Sequence, residues 1–248
     1  RKKYHQREYS FLCCECGQKL EVSTSKKDLV HFKHAKGTEF CVLKENKFSD
    51  DEIALINDYH FVRESDRHIY LKNKIGELLL NEKEVKDVFV DNKVVFDGDN
   101  RRRPDILCTY RSNKIVFEIQ LSKLPLRYML GRTNFYSSKG YYLVWILDNI
   151  DLNSQDQFVK DIKYLHPAQN FFRLDELSTN EFRLLCNYKT VFINETNKLI
   201  NNWKEKSVKL NQLVFKEDQF QVYFFDFHYQ KEKLKKEIIL IEEREEER

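Results

Sequence analysis

Asp105, Glu118 and Gln120 fall within one short stretch, "RRRPDILCTYRSNKIVFEIQLS", between Arg101 and Ser122. Two carboxylates and an amide oxygen make a hard-oxygen donor set. Clustered carboxylates repel and desolvate each other, and a divalent cation removes both penalties. Mg2+ favours one or two protein carboxylates plus waters, with substrate phosphate completing the shell. Such a metal activates water and stabilises charge in phosphodiester cleavage. A second cluster lies upstream, in "CCECGQKL" from Cys13 and "HFKHAKGTEFC" ending at Cys41. Tetrahedral zinc needs four N/S ligands, two from each tight turn. The first choice is Cys13, Cys16, His34 and Cys41. Cys14 competes with Cys13, although C-x-C chelates one ion less readily, and His31 competes with Cys41. If residues 30–34 form a strand, His31 and His34 point to opposite faces, which favours Cys41. With all four positions filled, such a zinc serves stability, and contact with DNA, rather than catalysis.

The elements around the carboxylates follow from periodicity. In 114–121, Ile115, Phe117, Ile119 and Leu121 face one way and Val116, Glu118 and Gln120 the other. Residues 105–110 alternate likewise. Pairing Arg111 with Lys114 sets Tyr110 against Ile115, Cys108 against Phe117 and Ile106 against Ile119. That register puts Asp105 opposite Gln120, with Glu118 on the diagonal, about 7–8 Å away. Taken alone, an Asp at a strand start and a Glu on a solvated face is the plainer reading. Upstream, "SDDEIALIN" predicts a short helix capped by Ser49 or Asp50. Residues 61–80 predict another, with Glu64, His68, Leu71, Lys72 and Ile75 on one face. "VKDVFVDNKVVFDGD" predicts a hairpin turning at Asp91-Asn92. Residues 124–139 predict a helix ending at Gly140, and "YYLVWIL" (141–147) a buried strand. The order is helix, four short strands, helix, strand, closing in a β-α-β crossover. Beyond 151 the pattern is less regular. It suggests helices at 180–187 and 195–205, aromatic strand material in "FQVYFFDFHY" and a charged C-terminal helix.

"RRPDIL" followed by "FEIQLS" resembles the PD-(D/E)xK nuclease superfamily, and more narrowly the CoiA-like competence nuclease family. The likeness extends upstream to "ESDRHIYLK", downstream through Ser122, Arg132 and Tyr136 to "YYLVWIL", and to the C-x-x-C and His-Phe-x-His of the N-terminal segment. It covers about residues 10–147. It implies a restriction-endonuclease-like α-β-β-β-α-β core within an α/β fold, with a small N-terminal zinc-ribbon-like module and a mixed α+β C-terminal region. The implied division is 1–58 zinc module, 59–150 nuclease core and 151–248 accessory region. Asp105 and Glu118 become ligands of Mg2+ or Mn2+, Gln120 replaces the usual lysine, and Glu64 becomes an additional acid. His68, Lys72, Arg103, Ser122, Arg132 and Tyr136 become DNA contacts. Gln can only hydrogen-bond, where lysine would offer charge, so Lys72 or Arg103 must supply it or activity is low. His68 could equally be a packed helix histidine, and Arg132 and Tyr136, at i and i+4, could simply brace their helix.

Composition is compatible with this. The net charge is +3, and residues 1–47 hold eleven Lys/Arg against six Asp/Glu, a basic segment suited to a polyanion such as DNA. No apolar run reaches the roughly 18 residues of a membrane span, and no signal peptide is visible in a chain that opens on Arg1. Cys108 and Cys186 sit alone in apolar patterns, like core residues. A cytoplasmic protein without membrane contact is expected. The C-terminal "KEKLKKEIILIEEREEER" runs from Lys to Glu, against the helix dipole, which suggests a protein partner or a second copy there. The expected function is a metal-dependent DNA nuclease in competence, recombination or phage defence. The alternatives are a catalytically silent DNA-binding module of the same fold and a zinc-stabilised interaction protein.

Overall fold

The structure is a computed structural model and describes residues 10–13, 15–16, 18–24, 30–36, 41, 48–62, 65–98, 100–148 and 150–246. The N-terminal segment forms a three-stranded antiparallel sheet of β1 (Phe11–Leu12), β2 (Lys19–Thr24) and β3 (Val30–His34). Helix α1 (Asp50–Val62) starts at a reciprocal cap. The Ser49 N–H donates to Glu52 Oε2 at 2.8 Å, and the Glu52 N–H donates to Ser49 Oγ at 3.2 Å. The helix expected over 61–80 is divided: α1 ends at Val62 and α2 (Asp66–Leu80) begins afresh. Ser65 is the reason, since its extended backbone and hydroxyl cap the His68 N–H at 3.3 Å.

A seven-stranded mixed sheet carries the rest of the fold, in the order β12-β11-β10-β9-β8-β7-β4. Its members are β4 (Val85–Val90), β7 (Ile106–Tyr110), β8 (Asn113–Gln120), β9 (Tyr141–Leu147), β10 (Asn170–Leu174), β11 (Leu184–Ile193) and β12 (Leu199–Val208). The β8-β9 and β9-β10 pairs are parallel, and α3 (Leu126–Ser138) makes the first of these crossovers. Of the sheet's strands from Asp66 to Leu147, three precede α3 and one follows it. Strand β8 is buried on both faces, as a central strand between helices must be. Ile115, Phe117 and Ile119 pack with Leu71, Ile75, Leu78 and Leu79 of α2. Val116 packs with Phe135 and Tyr136 of α3 on the other face. Beside it, Ile56 and Tyr59 of α1 pack with Tyr128 and Met129 of α3 and Ile162 of α4 (Gln157–Leu165).

Three sequence expectations are corrected here. The hairpin at 85–97 does not form: β4 pairs with β7, and β5 (Val95–Asp97) pairs with β6 (Asn100–Arg102) around Gly98, at φ 57°. Alternation marks a strand but not its partner, and β7 offers β4 a buried one. The helices expected at 180–187 and 195–205 are the strands β11 and β12, paired antiparallel over their full lengths. Their β-branched and aromatic run "YKTVFI" favours the pleated surface. Their turn is tied by Asn194 Oδ1, which accepts from the Thr196 and Lys198 N–H groups at 3.1 and 2.8 Å. The same sheet also takes in β10, β11 and β12, from the region after residue 150.

After the β13 (Val214–Lys216) and β14 (Gln221–Tyr223) pair, α5 (Phe227–Glu246) forms as expected. Phe227 and Leu234 pack on Val191, whereas Ile239 and Leu240 further along are about half exposed. No helix among the described residues is long and apolar enough to cross a membrane.

One close approach sets how α2 sits on the sheet. A Cβ at Gly76 would lie 2.4 Å from Val90 Cγ2. Gly76→Ala should therefore destabilise by about 1–3 kcal/mol through overpacking, although alanine is the better helix former. Urea denaturation checks this, and an unchanged or raised midpoint would contradict it.

Candidate functional site

The carboxylates are closer than expected. Observed pairs are Tyr110↔Asn113, Cys108↔Ile115 and Ile106↔Phe117, so the next step along the ladder sets Asp105 across from Glu118 rather than Gln120. The turn is Arg111-Ser112, with Arg111 at φ 54°. It is anchored by the Arg111 N–H on the Glu84 carbonyl at 2.9 Å and by an Arg111–Glu84 ion pair at 2.8 Å. The register differs by two residues from the expected one. A two-residue slip keeps every side chain on its own face, so alternation could not detect it.

Asp105 and Glu118 are fully buried, and Gln120 is 1% exposed. Buried charge requires partners. Asp105 Oδ2 accepts the Ile119 N–H at 2.8 Å and lies 3.2 Å from His68 Nε2. Glu118 Oε1 accepts from an Arg132 terminal N–H at 2.5 Å and from the Tyr136 hydroxyl at 2.8 Å. The Gln120 amide donates to the Ser122 carbonyl. Gln120 Oε1, Ser122 Oγ and His68 Nδ1 are buried without a hydrogen-bond partner among the described residues. Burial, reinforced by the Glu118 charge, holds the Tyr136 phenol well above its ordinary range. Burial would lower Arg132, but the charges of Glu118 and Glu15 outweigh it, and the guanidinium is held firmly protonated.

The outer cations converge on one acid. Lys72 Nζ lies 2.7 Å from Asp91 Oδ2, and Arg103 Nε lies 3.0 Å from Asp91 Oδ1. Asp91 adopts φ 51°, and its N–H donates to the Asp105 carbonyl at 2.8 Å. The expected role of Arg132 and Tyr136 as DNA contacts is corrected. At 1% and 0% exposed, they face Glu118 and present no donor to a ligand at the surface. The plainer reading, in which they act as braces, is closer, but what they brace is the carboxylate. Glu64 lies outside the described residues.

The residue that sequence reasoning missed is Glu15. It sits between Cys13 and Cys16, fully buried. Its carboxylate accepts from Arg132 at 3.0 and 2.8 Å and from the Tyr128 hydroxyl, and forms an ion pair with Arg102, whose Nε lies 3.0 Å away. Arg132 thus bridges Glu15 of the N-terminal segment and Glu118 of the sheet. An acid in a C-x-x-C loop reads as a solvated loop residue, and only its position against α3 reveals otherwise.

The donor atoms of Cys13, Cys16, His34 and Cys41 all lie within 4.8 Å of one another. Cys13 Sγ is 3.9 Å from Cys41 Sγ, and Cys16 Sγ is 3.4 Å from His34 Nε2. A tetrahedron with Zn–S of about 2.3 Å has an S···S edge of about 3.8 Å. The cluster could therefore hold a metal such as zinc, with the expected ligand set. His31 is exposed and outside the cluster, and Cys14 lies outside the described residues. Hydrogen bonding with Cys13 pushes both the Cys16 and the Cys41 thiol upward, and Cys16 and burial add to this at Cys41. A bound cation reverses that balance, because the thiolate is its ligand. The Gln18 amide donates to Cys16 Sγ at 3.4 Å, and the Cys13 N–H donates to the Gln18 carbonyl at 2.7 Å, which fixes the loop that carries Glu15.

Residues 51–228 match the family model described as "Domain of unknown function (DUF6035)", and the chain belongs to that family. Residues 1–48, which carry the Cys/His cluster, match the model described as "Domain of unknown function (DUF7830)". No curated protein and no solved structure matches the chain.

Proposed function

We propose that this member of the DUF6035 family is a metal-dependent DNA nuclease of the PD-(D/E)xK type. It would hydrolyse phosphodiester bonds on a restriction-endonuclease-like core, with Mg2+ or Mn2+, in DNA processing such as competence, recombination or phage defence. One observation carries the reading: Asp105 and Glu118 are both fully buried, and the β7-β8 register, continued one step past Ile106↔Phe117, sets them across from each other, with Gln120 further along the face of Glu118. The succession of α2, three sheet strands, α3 and β9 supports the same core.

The donor set fits a hard divalent cation. Two buried carboxylates fall at adjoining positions where β7 and β8 pair, and Gln120 Oε1 is a buried oxygen without a hydrogen-bond partner among the described residues. Asp105 and Glu118 would hold the ion, which when bound supplies charge stabilisation and a more acidic water. Gln120 Oε1 would be the acceptor that orients the attacking water. His68 keeps Asp105 oriented through Nε2. Lys72 and Arg103 are pre-assembled by Asp91, where a phosphate can take the place of the carboxylate between two cations. Glu64 is carried as an assisting acid by resemblance alone.

A second reading, a DNA-binding module of the same fold that does not cut, is favoured by a different observation. Arg132 and Tyr136 already occupy Glu118 Oε1, and Asp105, Glu118 and Gln120 are at most 1% exposed. Cleavage therefore requires the site to open and Glu118 to exchange partners.

Plasmid cleavage with Mg2+ or Mn2+, wild type against Asp105→Ala, decides between them. The nuclease reading expects the variant's rate to fall on the order of 100-fold, equivalent to the several kcal/mol such an ion contributes. Equal cleavage by both proteins sinks the assigned site. DNA binding without cleavage supports the silent module, and absence of DNA binding at low salt supports a zinc-stabilised interaction protein.

A further inference from the structure

We infer that Glu15, carried by the metal-binding loop, is a positioning residue for the Asp105–Glu118 centre: by pairing with Arg132 and Arg102 it keeps Glu118 available to a divalent cation. The inference rests on the cation-binding part of the proposed function.

The argument is one of charge partition in a closed space. Glu15, Glu118, Arg132 and Arg102 are each at most 4% exposed, two anions against two cations. One terminal nitrogen of Arg132 spans both Glu15 oxygens at 3.0 and 2.8 Å, and the other donates to Glu118 at 2.5 Å. Arg102 meets Glu15 at 3.0 Å. Screening by solvent is weak at this burial, so each charge strongly influences how its neighbours pair. Without the Glu15 charge, two guanidinium groups would remain and Glu118 would be the carboxylate still bonded to Arg132. It would be held more tightly by that arginine, in direct competition with the cation. Glu15 divides the attention of Arg132 and so weakens its hold on Glu118. Its place is set by the loop between Cys13 and Cys16, closed by the Gln18 hydrogen bonds, so the N-terminal segment takes part in tuning a centre on the sheet.

The same logic gives effects of opposite sign at two neighbours, which a merely structural role would not. Glu15→Gln removes an anion and should lower Mn2+ affinity about tenfold. Arg102→Gln removes a competing cation, lets Glu15 bind Arg132 more fully, and should raise Mn2+ affinity. Glu15→Asp keeps the charge and should recover part of the loss. Mn2+ titrations of the zinc-loaded full chain, read by the EPR signal of free Mn2+, measure all three beside wild type and Asp105→Ala. Zinc content and thermal unfolding are recorded for each. Should Glu15→Gln fail to fold, Arg102→Gln still decides, since unchanged or weaker Mn2+ binding there overturns the inference. Unchanged Mn2+ affinity in a folded Glu15→Gln also overturns it. If Asp105→Ala loses Mn2+ while Glu15→Gln keeps it, the inference alone falls. If Asp105→Ala binds Mn2+ as wild type does, the cation is not at Asp105, and the nuclease reading falls with it.

Discussion

Replacing Arg132 with methionine should cost about 3–5 kcal/mol of stability, the usual result of removing one partner from a buried ion pair. Methionine fills much of the volume, so the loss reports charge rather than a cavity. Arg132 is 1% exposed and donates to Glu15, Glu118, the Tyr128 hydroxyl and the Arg103 carbonyl. Its removal leaves two carboxylates at 0% exposure with Arg102, beside Glu15, as the remaining guanidinium of the group of four. The excess negative charge is relieved by taking up a proton, so the folded variant binds more protons than the unfolded chain. Its stability should then fall as pH rises, and the deficit against wild type should be smaller at acid than at neutral pH. Urea denaturation at several pH values, followed by the fluorescence of the buried Trp145, measures both effects. A deficit below about 1 kcal/mol would mean that the carboxylates find other partners. A deficit independent of pH would locate the loss in packing. Arg132→Lys should recover only part, because a single ammonium nitrogen cannot reach both Glu15 oxygens and Glu118 as the two terminal guanidinium nitrogens do.

Loss of the metal from the N-terminal cluster should have the larger effect on its own segment. Zinc should copurify at one equivalent per chain, and a Cys16→Ala/His34→Ala double variant should lack it. Structural zinc sites in small modules carry roughly 10–16 kcal/mol of apparent binding energy, which becomes folding energy. Little else is available here: Cys13, Cys16 and Cys41 form a buried cluster against which only Leu20 packs among the described residues. The β1–β3 sheet should therefore open to protease in the double variant or with chelator, while the seven-stranded sheet stays protected. Metal-free protein with native stability would refute this. The body should also lose stability, because the loop that loses its metal carries Glu15, and with it the anion shared by Arg132 and Arg102. A variant with an intact zinc cluster and Glu15→Gln separates the two contributions.

The Cys/His cluster was legible because its information is local. C-x-x-C puts two thiols on one turn, and the spacing within a strand sends His31 and His34 to opposite faces. Faces along β7 and β8 were legible for the same reason, since a period of two needs no knowledge of the partner. So were Ser49 as a cap, the helix ending before Gly140 and the buried strand "YYLVWIL". The register was not. Two-residue slips conserve the faces, and the choice among them was made by the Arg111-Ser112 turn and its anchor on Glu84, across a strand that sequence reasoning had paired elsewhere. Residues 180–187 and 195–205 suggest helices in the sequence because short mixed runs satisfy both periods. Their mutual pairing, and the place of β11 beside β10, made them strands.

What the amino-acid sequence determined by itself about this protein is the inventory of chemistry and the local surface each group occupies: a Cys/His set spaced for zinc, and two carboxylates and an amide on adjoining strands. What only the tertiary structure decided is who neutralises whom. Glu15 and Arg132 are 117 residues apart in sequence and Glu15 and Tyr128 are 113 apart, yet their side chains share one closed space. Charge balance in a buried site is a property of groups brought together by packing, and it has no period along the chain. His68 beside Asp105, Arg132 held between two acids, and Lys72 and Arg103 gathered on Asp91 are all pairings of this kind.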